Sequence, residues 1–205
     1  MKTKILTQKN LHEACECLKS GGVVAFPTDT VYGLGVVYDQ LDALNRLKLS
    51  KGRPDNKPIP MMIASIEQID QVAYTNERIQ KLTKTFMPGG FTIILKKREN
   101  VSDVITNGFD TIALRMPDDE FILSLIKMIA KPLLVTSANL SGQATGVYFE
   151  DVKRDFDGRI DMIIEGKCQG LVSSTIVDVS TETLKIVRQG PINEKEIQKV
   201  WEETV

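Results

Sequence analysis

Apolar and polar positions follow two rhythms along the chain, one of period near 3.6 and one of short continuous apolar runs bounded by glycine and proline. Residues 11–18 read as a helix stopped at Gly21-Gly22, with a strand at 23–26. Asp39 is placed to cap a second helix carrying Leu41, Leu44 and Leu47, which breaks near Lys51-Gly52-Arg53-Pro54. The basic trio Lys48, Lys51 and Arg53 is therefore expected at or beyond a helix end. A short strand at 59–63, helical segments over 66–86 and a strand at 91–96 after Pro88-Gly89-Gly90 come next. Further strands are predicted at 111–115, 133–136, 162–164, 175–179 and 184–187, and helices at 118–130 and 193–201. No repeat, charge block or low-complexity linker divides these elements. The expectation is a single α/β domain over residues 1–205 around a mixed sheet, with a strand order that the pattern does not reveal.

Residues 25–35, AFPTDTVYGLG, break the pattern. An apolar run stops at Pro27, turns through Thr28-Asp29-Thr30 and resumes at Tyr32. Hydroxyls, a carboxylate and two glycines are more than a connector needs, so this loop is read as holding a ligand. Composition narrows the ligand's setting. With 42% hydrophobic residues among 205, the chain can bury a substantial core. The near balance of 26 basic and 27 acidic residues gives no bulk attraction to nucleic acid or to an anionic membrane. Any anion site must be local. Cys15, Cys17 and Cys168 have no CxxC spacing and are read as reduced thiols, and His12 as a surface or capping residue, so no metal site is expected. No leader or membrane-spanning run is recognised, and a cytoplasmic location is expected.

Six polar segments stand beside predicted strands: residues 27–33, 51–54, 111–117, 136–142, 173–178 and 187–190. Strand ends in α/β folds are where ligand loops gather. Lys51, Arg53, Arg115 and Arg188 supply positive charge, and Ser137, Asn139, Ser141, Thr145 and Ser174 supply neutral hydrogen-bonding groups. That chemistry suits an anionic, hydroxyl-rich ligand such as a nucleotide. No GxxxxGK[ST] occurs, and Gly33-Leu-Gly35 lacks the third glycine of a dinucleotide fingerprint, which disfavours P-loop and Rossmann binding. Singly, each segment has an ordinary explanation. Asn139-Leu-Ser-Gly is a common turn, Lys51 and Arg53 complement a helix C-terminus, and Thr28 and Thr30 can cap a turn.

Taken in order, PTDTVYGLG, KGRP, TIALRMP, TSANLSG, SSTIVD and VRQG strongly resemble the signatures of the YrdC-like family, from about Gly21 to Gly190. Its characterised members are threonylcarbamoyl-AMP synthases. The resemblance implies a twisted mixed sheet flanked by helices around a large concave cavity. It also implies a nucleotidyltransferase that joins L-threonine, bicarbonate and ATP, with magnesium accompanying the nucleotide, for modification of adenosine 37 in tRNA. Carried over by position, Thr30, Arg115, Ser174 and the backbone near Val135 are expected at threonine. Arg53, Lys57, Thr111 and Ser137, with Asn139, Thr145 and Arg188, are expected at ATP. Lys51 and Arg53 match a KxR signature expected to act catalytically, and Ser137 and Asn139 a SAN signature.

On this reading the Pro27 turn is a substrate wall, Tyr32 with Gly33 and Gly35 bring the chain close to the ligand, and Thr145 to Tyr148 form a lid over ATP. Three positions depart from the common pattern: Met62 stands where many relatives have histidine, and Gly90 and Thr136 where proline is common. The chain resembles the compact bacterial type. The implied chemistry needs no protein base, because the carbamate that attacks the α-phosphorus is already an anion; positioning and charge stabilisation dominate. Three alternatives stand beside it: a YciO-type paralogue with the same cavity and another activity, the carbamoyl-adenylating domain of hydrogenase maturation enzymes, and an RNA-binding module. A contact with tRNA or a tRNA-modifying enzyme is expected, and oligomeric state is not legible.

Overall fold

The computed structural model describes residues 2–52 and 58–203. The chain runs β1 (Lys4–Thr7), α1 (Leu11–Lys19), β2 (Val24–Phe26), β3 (Gly33–Val37), α2 (Leu41–Ser50) and β4 (Met61–Met62). A 3-10 turn (Ile66–Gln68) leads into α3 (Ile69–Val72), followed by α4 (Glu77–Phe86), β5 (Phe91–Lys96), α5 (Asp103–Thr106) and β6 (Thr111–Arg115). The last third carries α6 (Glu120–Ile129), β7 (Leu133–Ser137), α7 (Phe149–Phe156), β8 (Met162–Glu165), β9 (Thr175–Asp178), β10 (Lys185–Arg188) and α8 (Glu194–Glu202). Among the described residues the strands form one ten-stranded sheet in the order β1-β8-β2-β3-β7-β4-β6-β5-β9-β10. Its pairings are mixed: β1 and β2 run parallel to β8, β4 to β6 and β5 to β9, and the other neighbours are antiparallel. The expected mixed α/β architecture is therefore present. No described helix is long and apolar enough to cross a membrane.

Side-chain alternation explains both the core and the gap in it. Leu34, Leu134, Leu114, Ile93 and Val177 point to the face packed by α2, α4, α7 and α8. Phe26, Val135 and Ile164 point to the other face, where α1 and α6 cover the β8-β2-β3-β7 half through Leu18, Ile122 and Ile126. The same face continues across β4, β6, β5 and β9, and there it presents Met62, Ala113, Thr92, Ile94 and Ile176 to a cavity. A sheet face with helix cover over one half leaves a hollow over the other.

The sequence pattern missed β1, β3, α5 and α7. Strand β3 lies within the stretch read as a ligand loop, and its two glycines hid it, because glycine weakens a strand signal. Yet β3 is central and pairs with both β2 and β7. The space that a Cβ on Gly33 or Gly35 would take is filled by the Phe26 ring and Val135, at 2.8 Å from Val135 Cγ1 for Gly33 and 2.9 Å from Phe26 Cζ for Gly35. Those glycines admit core packing, and Gly33 also reaches the cavity as backbone, whereas Gly35 lies outside its lining. Asp39 does not cap α2. Gln40 holds the N-cap position without a side-chain bond, and Asp39 accepts from Lys131 Nζ at 2.5 Å.

Candidate ligand cavity

The cavity, of about 500 Å³, opens over the uncovered half of the sheet. At its strand-built end, Arg115 closes β6. Its Nε donates to the Gly89 carbonyl at 3.1 Å and its Nη2 to Asp29 Oδ1 at 2.6 Å, and both side chains of this ion pair are buried. The Pro88-Gly89-Gly90 turn therefore does two jobs: Gly89 holds Arg115, and the Gly90 carbonyl accepts from Thr175 N at 2.9 Å. In the loop before β3, Thr28 Oγ1 donates to the Val31 carbonyl at 2.7 Å, accepts from Thr30 N at 3.1 Å and lies 3.1 Å from Thr30 Oγ1. That web fixes the Pro27 turn and sets Thr30 on the cavity wall. Tyr32 also lines the wall, but its hydroxyl lies in the protein, donating towards the Ile164 and Gly166 carbonyls and accepting from Gly166 N. Burial raises its pKa, so it stays a phenol.

Ser174 and Thr175, adjacent in sequence, face opposite ways. Thr175 Oγ1 donates to the Ile192 carbonyl and accepts from Gly190 N and Ile192 N, clamping the Val187-Arg-Gln-Gly segment against the start of β9. The clamp needs glycine, since a Cβ on Gly190 would stand 2.3 Å from Thr175 N. Arg188 is brought over Ser174, donating from Nε to its carbonyl at 3.0 Å and from Nη2 to its hydroxyl at 3.2 Å. Burial, with the Arg115 charge adding, lowers the Arg188 pKa. An arginine remains cationic under such a shift.

At the other end, Lys51 follows α2 and is 4% exposed. Its Nζ donates to the Ser137 carbonyl, and its own carbonyl accepts from Ser141 N at 2.9 Å. The lysine and the Ser137–Ser141 turn are thus one unit. Ser137 Oγ donates to Asn139 Oδ1 at 2.6 Å, while Asn139 Nδ2 donates to the Leu140 and Gln143 carbonyls. Asn139 shapes the turn with every polar atom of its side chain.

The structure brings Thr30, Arg115, Val135 and Ser174 to the same cavity as Lys51, Ser137, Asn139 and Arg188. Thr111 lies outside the lining, on the face of β6 shared by Ala113 and Arg115 but at the strand's far end. Thr145 also lies outside it, beside Gly146, whose carbonyl accepts from Tyr32 N at 3.1 Å. Gly146 packs on Ala138, with a Cβ there 2.6 Å from the Ala138 carbonyl oxygen, so the expected lid is anchored in its middle. Arg53 and Lys57 lie outside the described residues. Sequence reasoning missed Thr92, which lines the cavity, and Asp29, which orients Arg115 from behind. The signal for Asp29 was present, since it is the one acid in the Pro27 turn. Thr92 gave none, being a single threonine in an apolar strand.

Met62, the position at which the resemblance implied a departure from histidine, lines the cavity. Among the described residues the lining holds no carboxylate, histidine or thiol. Cys168 lies behind the Thr28 loop with its pKa raised by burial, which disfavours a thiolate. Among the described residues, three cations, neutral hydroxyls and apolar side chains make a site suited to hold an anion and stabilise charge.

Comparison with known proteins bears on that chemistry. The Sua5/YciO/YrdC family model, described as "Telomere recombination", matches residues 16–190. The threonylcarbamoyl-AMP synthase of Pyrococcus abyssi is 40% identical over 185 residues, covering 89% of this chain and 54% of that protein. That of Bacillus subtilis is 38% identical, covering 92% and 55%. The chain thus spans about half the length of these curated relatives. Among solved structures, P. abyssi Sua5 complexed with L-threonine superposes with a TM-score of 0.90 at 37% identity, over 98% of this chain and 61% of that one. Escherichia coli YciO superposes with a TM-score of 0.87 at 26% identity, over 96% of this chain and all of that one.

Proposed function

The chain belongs to the Sua5/YciO/YrdC family, and from that premise we propose that its cavity takes L-threonine at the strand-built end and magnesium-bound ATP at the Lys51 end. The product is threonylcarbamoyl-AMP with pyrophosphate, bicarbonate supplying the carbon. The carrying observation is that Lys51, Arg115 and Arg188 converge with the hydroxyls of Thr30, Ser137 and Ser174 on one cavity. The synthase names of the two curated relatives and the L-threonine in the P. abyssi structure support the same assignment.

The neutral amine of threonine adds to carbon dioxide derived from bicarbonate and loses a proton, giving a carbamate. A carbamate oxygen then attacks the α-phosphorus, and pyrophosphate leaves. Arg115, oriented by Asp29 and Gly89, receives the amino acid's carboxylate. Lys51 and Arg53 balance phosphate charge, and Arg188 stabilises the adenylate end. No cluster of three or more His, Cys, Asp or Glu occurs among the described residues. Magnesium would come with ATP as part of the nucleotide substrate and would add positive charge against its phosphates. The mixed anhydride serves tRNA modification in the cytoplasm, by handover to a tRNA-modifying enzyme.

The test is pyrophosphate release from ATP with magnesium, with and without L-threonine and bicarbonate. Release is expected to require both. Lys51→Met should lower turnover about 10²-fold, and Arg53→Ala should nearly abolish it, as for loss of a transition-state donor. Folded, ATP-binding protein without threonine dependence would overturn the synthase reading in favour of a YciO-type paralogue.

A further inference from the structure

Thr92 lines the cavity at 1% exposure, and its Oγ1 lies 2.8 Å from Ser174 Oγ. Ser174 Oγ also accepts from Arg188 Nη2 at 3.2 Å. A hydroxyl has one hydrogen to give and two lone pairs to receive with. Between Thr92 and Ser174 there are two hydroxyl hydrogens and one mutual hydrogen bond. One hydrogen of the pair is therefore left to donate, whichever residue is the donor in the shared bond. When Thr92 donates, Ser174 accepts from both Thr92 and Arg188, so its single hydrogen is directed to a third partner.

We infer that Thr92 is a positioning residue that orients Ser174 as a hydrogen-bond donor to an acceptor oxygen of the amino-acid substrate. The inference rests on the threonine-site reading given above. It assigns Thr92 a role distinct from packing: Ile93 and Leu95, its strand neighbours, fill the opposite face of the sheet. The backbone here is already fixed by the β5–β9 pairing, in which Thr92 stands opposite Ile176. Thr92 therefore adds a directed hydroxyl to a rigid floor. The Arg188 guanidinium sharpens the arrangement, since it withdraws electron density from the hydroxyl it donates to and makes that hydroxyl a better donor.

Thr92→Val removes the hydroxyl at nearly constant volume, and Thr92→Ser keeps it. For Thr92→Val, the KM for L-threonine and its calorimetric Kd in the absence of ATP should both rise about tenfold, as for loss of one buried hydrogen bond. The KM for ATP should change less than twofold, and Thr92→Ser should restore L-threonine binding to within about twofold of the wild type. Unchanged L-threonine binding in Thr92→Val, or equal weakening of both substrates, would overturn the assignment. So would a Thr92→Ser variant as weak as the valine, which would mark the threonine methyl as the working part. If the wild type binds L-threonine without releasing pyrophosphate, the synthase reading fails while the Kd ratio still decides the role of Thr92. If it binds no L-threonine, both fail.

Discussion

At the strand-built end of the cavity, Arg115, Thr92 and Ser174 stand on or beside paired strands at 6%, 1% and 4% exposure. At the opposite end Ser137 leads out of β7 into a turn whose Ser141 and Gly142 are exposed. The first end is ordered by sheet pairing and buried side-chain bonds, and the second by one asparagine and one lysine bonding to backbone. A small substrate whose few atoms must be read individually gains most from the first arrangement, because its site arrives pre-organised. A larger, highly charged substrate is served by the second, where a backbone turn can adjust around it. The difference predicts that substitutions at the strand-built end cost stability first, and those at the turn end cost binding first.

The largest expected effect is at the buried ion pair. Asp29→Ala leaves the Arg115 guanidinium without its carboxylate partner and should lower unfolding free energy by about 3 kcal/mol in urea titration. Asp29→Ala combined with Arg115→Leu should recover most of that stability, because no buried charge is left unpaired, while the L-threonine binding proposed above should be lost with the Arg115 guanidinium. A single variant as stable as the wild type would break the comparison. Next comes Gly190→Ala, whose Cβ would stand 2.3 Å from Thr175 N and 2.4 Å from the Ser173 carbonyl oxygen. Overpacking against backbone should cost about 2 kcal/mol and displace Arg188 from Ser174, read out as weaker binding of both substrates.

At the turn end, Asn139→Ala removes the two hydrogen bonds to the Leu140 and Gln143 carbonyls and the acceptor for Ser137 Oγ. Asn139 is itself buried, but Leu140 is half-buried and Gln143 exposed, so water can reach the carbonyls it releases and the expected loss of stability is about 1 kcal/mol. The KM for ATP should rise more than that for L-threonine. Equal effects on the two substrates would show that the ends are not separable.

How much of this was legible in the sequence follows the same division. Motifs that place a charged or hydroxyl side chain beside a strand or at a helix end could be read, and Thr30, Lys51, Arg115, Ser137, Ser174 and Arg188 converge on one cavity. What could not be read is what touches those residues from elsewhere in the chain. Asp29 meets Arg115 across 86 positions, and Thr92 meets Ser174 across 82. Such pairs leave no periodicity. Strand β3 was obscured for a local reason: its glycines are selected by the Phe26 ring and Val135, so they resemble a loop until those neighbours are in place. The strand order was equally closed to pattern reading, because β8 inserts between β1 and β2 from far along the chain.

The smallest effect sharpens the comparison by pH. Asp119, buried at the start of α6, accepts from Ile122 N at 3.0 Å. Its pKa is raised, first by burial, with the Asp29 and Asp118 charges adding and the Ile122 and Phe121 N–H groups opposing. A carboxyl whose folded pKa lies above its unfolded value holds its proton longer in the folded state. Its contribution to stability therefore falls as pH rises from the unfolded pKa through the folded one, and the penalty is complete above that window. Asp119→Asn keeps a capping oxygen and removes the charge. At pH 7 the variant should match or exceed the wild type in stability, and that advantage should shrink as pH falls through the raised folded-state pKa, where the native carboxyl takes up its proton. Asp119→Ala separates cap from charge, losing about 1 kcal/mol for the missing acceptor. Denaturant titrations of the three proteins at pH 4 and pH 7 check this, and an asparagine advantage that grows on acidification would show that Asp119 is held by its hydrogen bonds more than it is strained by burial.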